Sequence, residues 1–207
     1  MLKLRHLILP LLAIIVTISC TQKYDDNLTI KYNLIQPQNG IYVILDKDVN
    51  EKELKNNFYE KITSENTHPT KIERFNPSGK LTDELSTSAI TVFEYADNGN
   101  VKFVKYFNKN SKPATDKKFG FASIEYIYDE FDRVRMEIYR DENFKFLKVP
   151  RDDSGNIAKI DFLSPVLTYE YLGDVLKIKA LDQNFNLLKE VVGDKPCVPF
   201  IDCGNDE

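Results

Sequence analysis

The chain has 207 residues, 42% of them apolar and 29% charged, with Tyr (11) and Phe (13) plentiful, Met (2) scarce and Trp absent. A formal net charge of −4 without a basic stripe excludes a nucleic-acid binder, and a chain of this length needs no second core. With two histidines, His6 and His68, and no GxSxG, HExxH or P-loop pattern, it carries no catalytic constellation and reads as non-enzymatic.

The N-terminus comes first. Met1 to His6 holds Lys3 and Arg5 and no acid, Leu7 to Ile18 is uncharged and apolar, and Ser19-Cys20 closes the run. These are the parts of an export signal, expected over residues 1–19. As a helix the apolar run would rise about 18 Å, short of the ~30 Å hydrocarbon core, so it does not read as a permanent span. Thr17-Ile18-Ser19-Cys20 resembles the lipobox of bacterial lipoproteins of the Bacteroidetes and spirochaete kind. Thr17 and Ile18 stand where that family usually has Leu and then Ala or Ser. The resemblance implies a diacylglycerol on Cys20, membrane attachment through acyl chains, and a place in the cell envelope. The other reading is an ordinary signal peptide with Cys20 incidental. Residues 20–27 read as a lipidated tether, and Lys23 with Asp25-Asp26 resembles the short signal that sends some such lipoproteins to the cell surface.

Leu28, Ile30, Tyr32 and Leu34 alternate with Thr29, Lys31 and Asn33 and predict a first strand. Gln38-Asn39-Gly40 marks a turn, and Ile41 to Leu45 a second strand. A helix is predicted over about 50–63. Asn50 and Glu53 have the spacing of a capping box, Val49 and Leu54 the staple positions, and Leu54, Phe58 and Ile62 form an apolar stripe. From 71 to 192 the chain is a ladder of turn signals, with a strand–turn unit of about eleven residues. Its clearest stretch is Ile124 to Phe144, where two alternating runs flank Asp129-Glu-Phe-Asp132. The expected fold is mainly β: one domain over 28–207, an antiparallel meander of about nine to eleven strands with the helix packed on it. The tail 193–207 carries Cys197 and Cys203, read as a disulfide that closes a small loop, with two free thiols as the alternative.

Tyr126-Ile-Tyr128-Asp129 followed by Arg133-Val134 resembles the YD repeat of bacterial surface and toxin-shell proteins, over about residues 90–160. That resemblance implies an extracellular scaffold or binding role and supplies no catalytic residues. No cofactor or metal is expected. Asp46-x-Asp48-x-Asn50 opens like an EF-hand loop, but Glu51 and Asn57 occupy the positions that need Gly and Glu. Asp182-x-Asn184-x-Asn186 fails likewise, with Leu187 and Gly193. Tyr95, Tyr106, Tyr126, Tyr128, Tyr139, Tyr169 and Tyr171 read either as a stacking surface or as sheet packing. The expectation is a lipid-anchored envelope lipoprotein on the outer membrane, facing either the periplasm or the cell surface. It would act as a binding or structural module, with an extracellular protein or polysaccharide as partner. The alternative is a periplasmic carrier of lipids or lipoproteins with an apolar hollow beneath the sheet. A hollow without a filling helix favours the carrier, a packed core the module.

Overall fold

The computed structural model describes residues 27–38, 41–84, 88–116, 120–149 and 164–194. The signal segment 1–19, Cys20, Cys197 and Cys203 lie outside these residues. Eleven antiparallel strands form one sheet: β1 (Leu28–Gln38), β2 (Ile41–Asp46), β3 (Phe58–Glu65), β4 (His68–Phe75), β5 (Ile90–Tyr95), β6 (Val101–Phe107), β7 (Ser123–Tyr128), β8 (Val134–Arg140), β9 (Val166–Leu172), β10 (Val175–Leu181) and β11 (Leu187–Asp194). From β3 to β11 the order is a meander. At the other end β1 lies between β2 and β3, so the β2–β3 connection crosses over β1.

The predicted helix over 50–63 is not formed. Its capping box is: the Asn50 amide donates to the Glu53 carboxylate at 2.8 Å. What it starts is one 3₁₀ turn, Glu51–Leu54, after which Asn56 takes a left-handed φ of 64° and the chain enters β3. Phe58 and Ile62 fit a period of two as well as a period of four. Asn66 and Thr67, both at positive φ (50° and 72°), then close β3 and β4 as a two-residue hairpin of the kind that matches strand twist. Pairing on both sides, Ile62 with Lys31 and with Ile72, overrides the weak helix signal. The first strand forms, and its apolar alternation does not mark its buried side. Asn33 and Ile35 are buried, whereas Leu28 and Ile30 are exposed.

The ladder repeats with a longer period than eleven. Arg74, Tyr106 and Tyr139, spaced 32 and 33 residues apart, each end a strand in the same backbone pattern. Their amides donate to Ala89, Ala122 and Pro165, and their carbonyls accept from Thr82, Ala114 and Leu147, all at 2.8–3.1 Å. Each unit is thus two strands with one tight turn and one longer return. Tyr95, Tyr128 and Tyr171 are a second recurring device: their hydroxyls donate to the carbonyls of Pro69, Val101 and Val134 at 2.7–2.9 Å, tying each strand's end to the start of its predecessor. These three tyrosines are structural. The tight turns share one geometry. The residues at 76, 108, 129, 141 and 182 each accept two backbone amides, from two and four residues on, through an Asn or Asp side-chain oxygen. Ala96 has no such oxygen, yet the same backbone bonds form there, helped by Gly99 at φ 86°. Asp182→Ala should therefore keep the turn but lose the bonds that its carboxylate accepts from the Asn184 and Asn186 amides and the Asn186 side chain. A cost of about 2 kcal/mol is expected, read as a fall in the denaturation midpoint at unchanged slope.

The sheet has two unlike faces. One carries cross-strand ion pairs, among them Glu73 with Lys61 (3.9 Å), Glu125 with Arg140 (2.7 Å) and Glu170 with Lys179 (3.5 Å). The other carries the core, in which Val104, Tyr106, Ile124, Tyr126, Leu167, Tyr169 and Leu176 pack together.

Candidate functional site

Over strands β6 to β10 the apolar face is filled by its own side chains, chiefly tyrosines. Toward β1 it is hollow. A pocket of about 400 Å³ lies there, walled by Ile35, Tyr42, Ile44, Ile72, Phe93, Val101, Val104, Ile124 and Tyr126. Residues from β2 and from β6 line the same space although five strand spacings separate them. In a flat sheet that is roughly 24 Å, so this half of the sheet curls around the hollow. Ile44, 45% exposed, marks the rim.

A few polar groups face the apolar walls: Glu60, Arg74, Ser88, Thr91 and Asp116. Arg74 Nη1 donates to the Ser88 carbonyl (3.0 Å) and the Thr91 hydroxyl (3.3 Å), and Nε lies 3.9 Å from Glu60, too far for a hydrogen bond. Glu60 is fixed from its other side by the Asn33 side chain at 2.9 Å. Asp116 accepts the Ser88 amide at 2.9 Å, pinning one return segment to the next. Burial raises the Tyr42 hydroxyl above its ordinary range, with Thr82 nearby but outside hydrogen-bonding geometry.

A second polar group sits in the filled half. Glu137 on β8 is 4% exposed and opposite Tyr126. Burial pushes its carboxyl up, against the lowering effect of the Tyr139 hydroxyl, which donates to it, and of the Tyr169 hydroxyl. Burial, and then the Glu137 charge, push the Tyr126, Tyr139 and Tyr169 phenols well above their usual range.

The repeat identifies what is unusual in both places. The position of Arg74 is Tyr106 and Tyr139 in the next two units, and the position of Glu137 is Ile72 and Val104 in the two before it. A charged residue where the other copies place an apolar or aromatic one departs from the local rule, and such departures concentrate at functional sites. Sequence reading missed Arg74, Glu60 and Glu137, since each looks like one more charge in an alternating strand. Aligning residues 89–108 on 122–141, where Ala, Tyr, Val and Tyr recur in step, is the signal that would have found the last.

The residues considered from sequence lie elsewhere. His68 sits at the exposed start of β4 with its ring 5.0 Å from Tyr95. Asp48 pairs with Lys31 at 3.1 Å, Asp46 accepts the Lys47 amide at 2.8 Å, and Asp182 holds its turn. Among the described residues no three His, Cys, Asp or Glu side chains gather as a metal site. Of the seven tyrosines, Tyr106 and Tyr126 reach the pocket, and the others hold the sheet together. Compared with protein-family models, with curated proteins and with solved structures, the chain matches none.

Proposed function

We propose that this protein is an exported, lipid-anchored binding module of the cell envelope, whose working part is the apolar pocket beneath the curled half of the sheet. The observation that carries the binding role is that pocket: about 400 Å³, mostly apolar, with a few converging polar groups. Those are the attributes of small-ligand sites, which occupy roughly 300–1,000 Å³. The anchor rests on the sequence around Cys20, and tethering at the membrane brings the pocket to where apolar molecules are concentrated.

Two experiments test the two halves. Radiolabelled palmitate should enter the wild-type chain and not Cys20→Ala; label retained by the variant would refute the anchor. Native mass spectrometry of the exported chain should show an adduct that organic solvent releases. Val104→Trp, which fills the pocket from its floor, should lose the adduct while keeping the β-sheet circular dichroism. A clean wild-type mass, together with no uptake of an apolar fluorescent probe, would sink the binding reading.

The carrier alternative draws support from the same hollow, since no helix fills it among the described residues. Its volume suits one single-chain molecule rather than the acyl group of another lipoprotein. Ligand delivered to acceptor vesicles faster than it dissociates into buffer would favour the carrier over a stationary receptor.

A further inference from the structure

The polar end of the pocket restricts what it accepts, an inference that rests on the reading of the hollow as a ligand site. Arg74 and Glu60 stand side by side there, their charges opposite and their nearest atoms 3.9 Å apart. Each is held by its far side: Arg74 through Nη1 to Ser88 and Thr91, Glu60 through Oε1 by Asn33. Arg74 Nη2 donates to no described residue, and Glu60 Oε2 accepts no hydrogen bond from one. A donor and an acceptor thus remain, next to each other, at the end of an apolar chamber.

We propose that the pocket takes a molecule with a single apolar body and an uncharged head that both accepts and donates a hydrogen bond, an amide or a hydroxyl, seated between Arg74 and Glu60. Such a head accepts from Arg74 and donates to Glu60 without disturbing their charge balance. A carboxylate head would satisfy Arg74 but face Glu60, and an ammonium head the reverse. In either case a charge would be left unpaired at a site where the two side chains are only 16% and 10% exposed, which is the costly arrangement. The preference for a neutral head is therefore set by the pair and not by the apolar walls.

The probes are dodecanamide, dodecanoate and dodecylammonium, displacing an apolar fluorophore from the full chain at pH 8. Wild type should bind the amide about tenfold or more tightly than either charged analogue. Glu60→Gln removes the opposing carboxylate and should shift preference to dodecanoate, while Arg74→Gln should shift it to dodecylammonium. A buried pair with a purely structural role would weaken all three probes alike and would not exchange preferences. Wild type favouring a charged probe, or variants that bind all three in wild-type ratio, would overturn the head-group assignment and leave the pocket standing. No displacement by any probe would overturn the pocket reading with it. Because the wild-type ranking alone decides the main claim, poor folding of a variant does not remove the test.

Discussion

Glu137→Gln should stabilise the protein at neutral pH and flatten its stability over the mildly acidic range. In the unfolded chain the Glu137 carboxyl loses its proton near 4.5. In the fold it keeps the proton to higher pH, because burial among Tyr126, Tyr139 and Tyr169 disfavours the carboxylate more than the donated hydroxyls favour it. Between those two values the native state holds more protons than the unfolded state. Stability therefore falls as pH rises through that window, and the loss is complete above the folded value. Gln carries the shape of the neutral acid and no titration, so the variant should lack this fall. Melting curves at pH 4 and pH 8 check it. The two proteins should differ little at pH 4, and the variant should melt about 4 °C higher at pH 8, which for a chain of this size is of the order of 1 kcal/mol. Comparing slopes rather than absolute midpoints removes groups that act oppositely. Asp129, whose carboxyl is held low by the Arg133 guanidinium, contributes stability that is lost on acidification in both proteins alike. A variant that melts lower at pH 8 with a wild-type slope would mean that the Tyr139 and Tyr169 hydroxyls win over burial.

How much of this was open to sequence reading depends on how local the cause is. The strands and their turns were, because period-two alternation and Asn, Asp and Gly at turns are written within a few residues. The hairpin around Asp129 forms as expected from Ser123 to Arg140, and eleven strands fall at the upper end of the count. The stretch after Asn50 failed because its local signals were genuine but short. The capping box is made, yet Asn56 and Asn57 break the helix after one turn, and the neighbours β1 and β4 that claim Phe58–Glu65 lie outside any local window. The inward face of β1 failed for a related reason. Asn33 is inside because Glu60, on another strand, needs its amide, and a lone polar residue at a core position looks like a surface residue until its partner is known. The pocket is less legible still. It arises because one unit of a repeat places Arg74 and Thr91 where the next has Tyr106 and Ile124, so a face that tyrosines fill in one half stays open in the other.

Those same tyrosines set the alkaline limit of the fold. Tyr106, Tyr126 and Tyr169 are 6%, 4% and 9% exposed, and burial first, then nearby carboxylates, push their phenols far above 10.0, as they do for Tyr139. Tyr128 is pushed up to about 12. In the unfolded chain all of them ionise near 10.0. Above that pH the unfolded state sheds protons that the native state keeps, so stability falls with rising pH. Each such group contributes about 1.4 kcal/mol per pH unit, and four together about 5. Against a total stability of roughly 5–15 kcal/mol, unfolding is expected within about one to three pH units above the ordinary phenol value. Phenolate absorbance should accordingly rise in two phases, the exposed tyrosines first and reversibly, the buried set in one steep step that coincides with loss of the β-sheet circular dichroism. A single smooth titration of exposed and buried tyrosines together, with the dichroism still intact when it is complete, would show that hydroxide reaches the buried ring cluster without unfolding it. Glu137→Gln adds an internal control. Its charge is the largest influence after burial on Tyr139 and Tyr169, disfavouring their phenolates in the fold. Removing it should move the steep step to higher pH, and a step that stays in place would show that burial alone sets it.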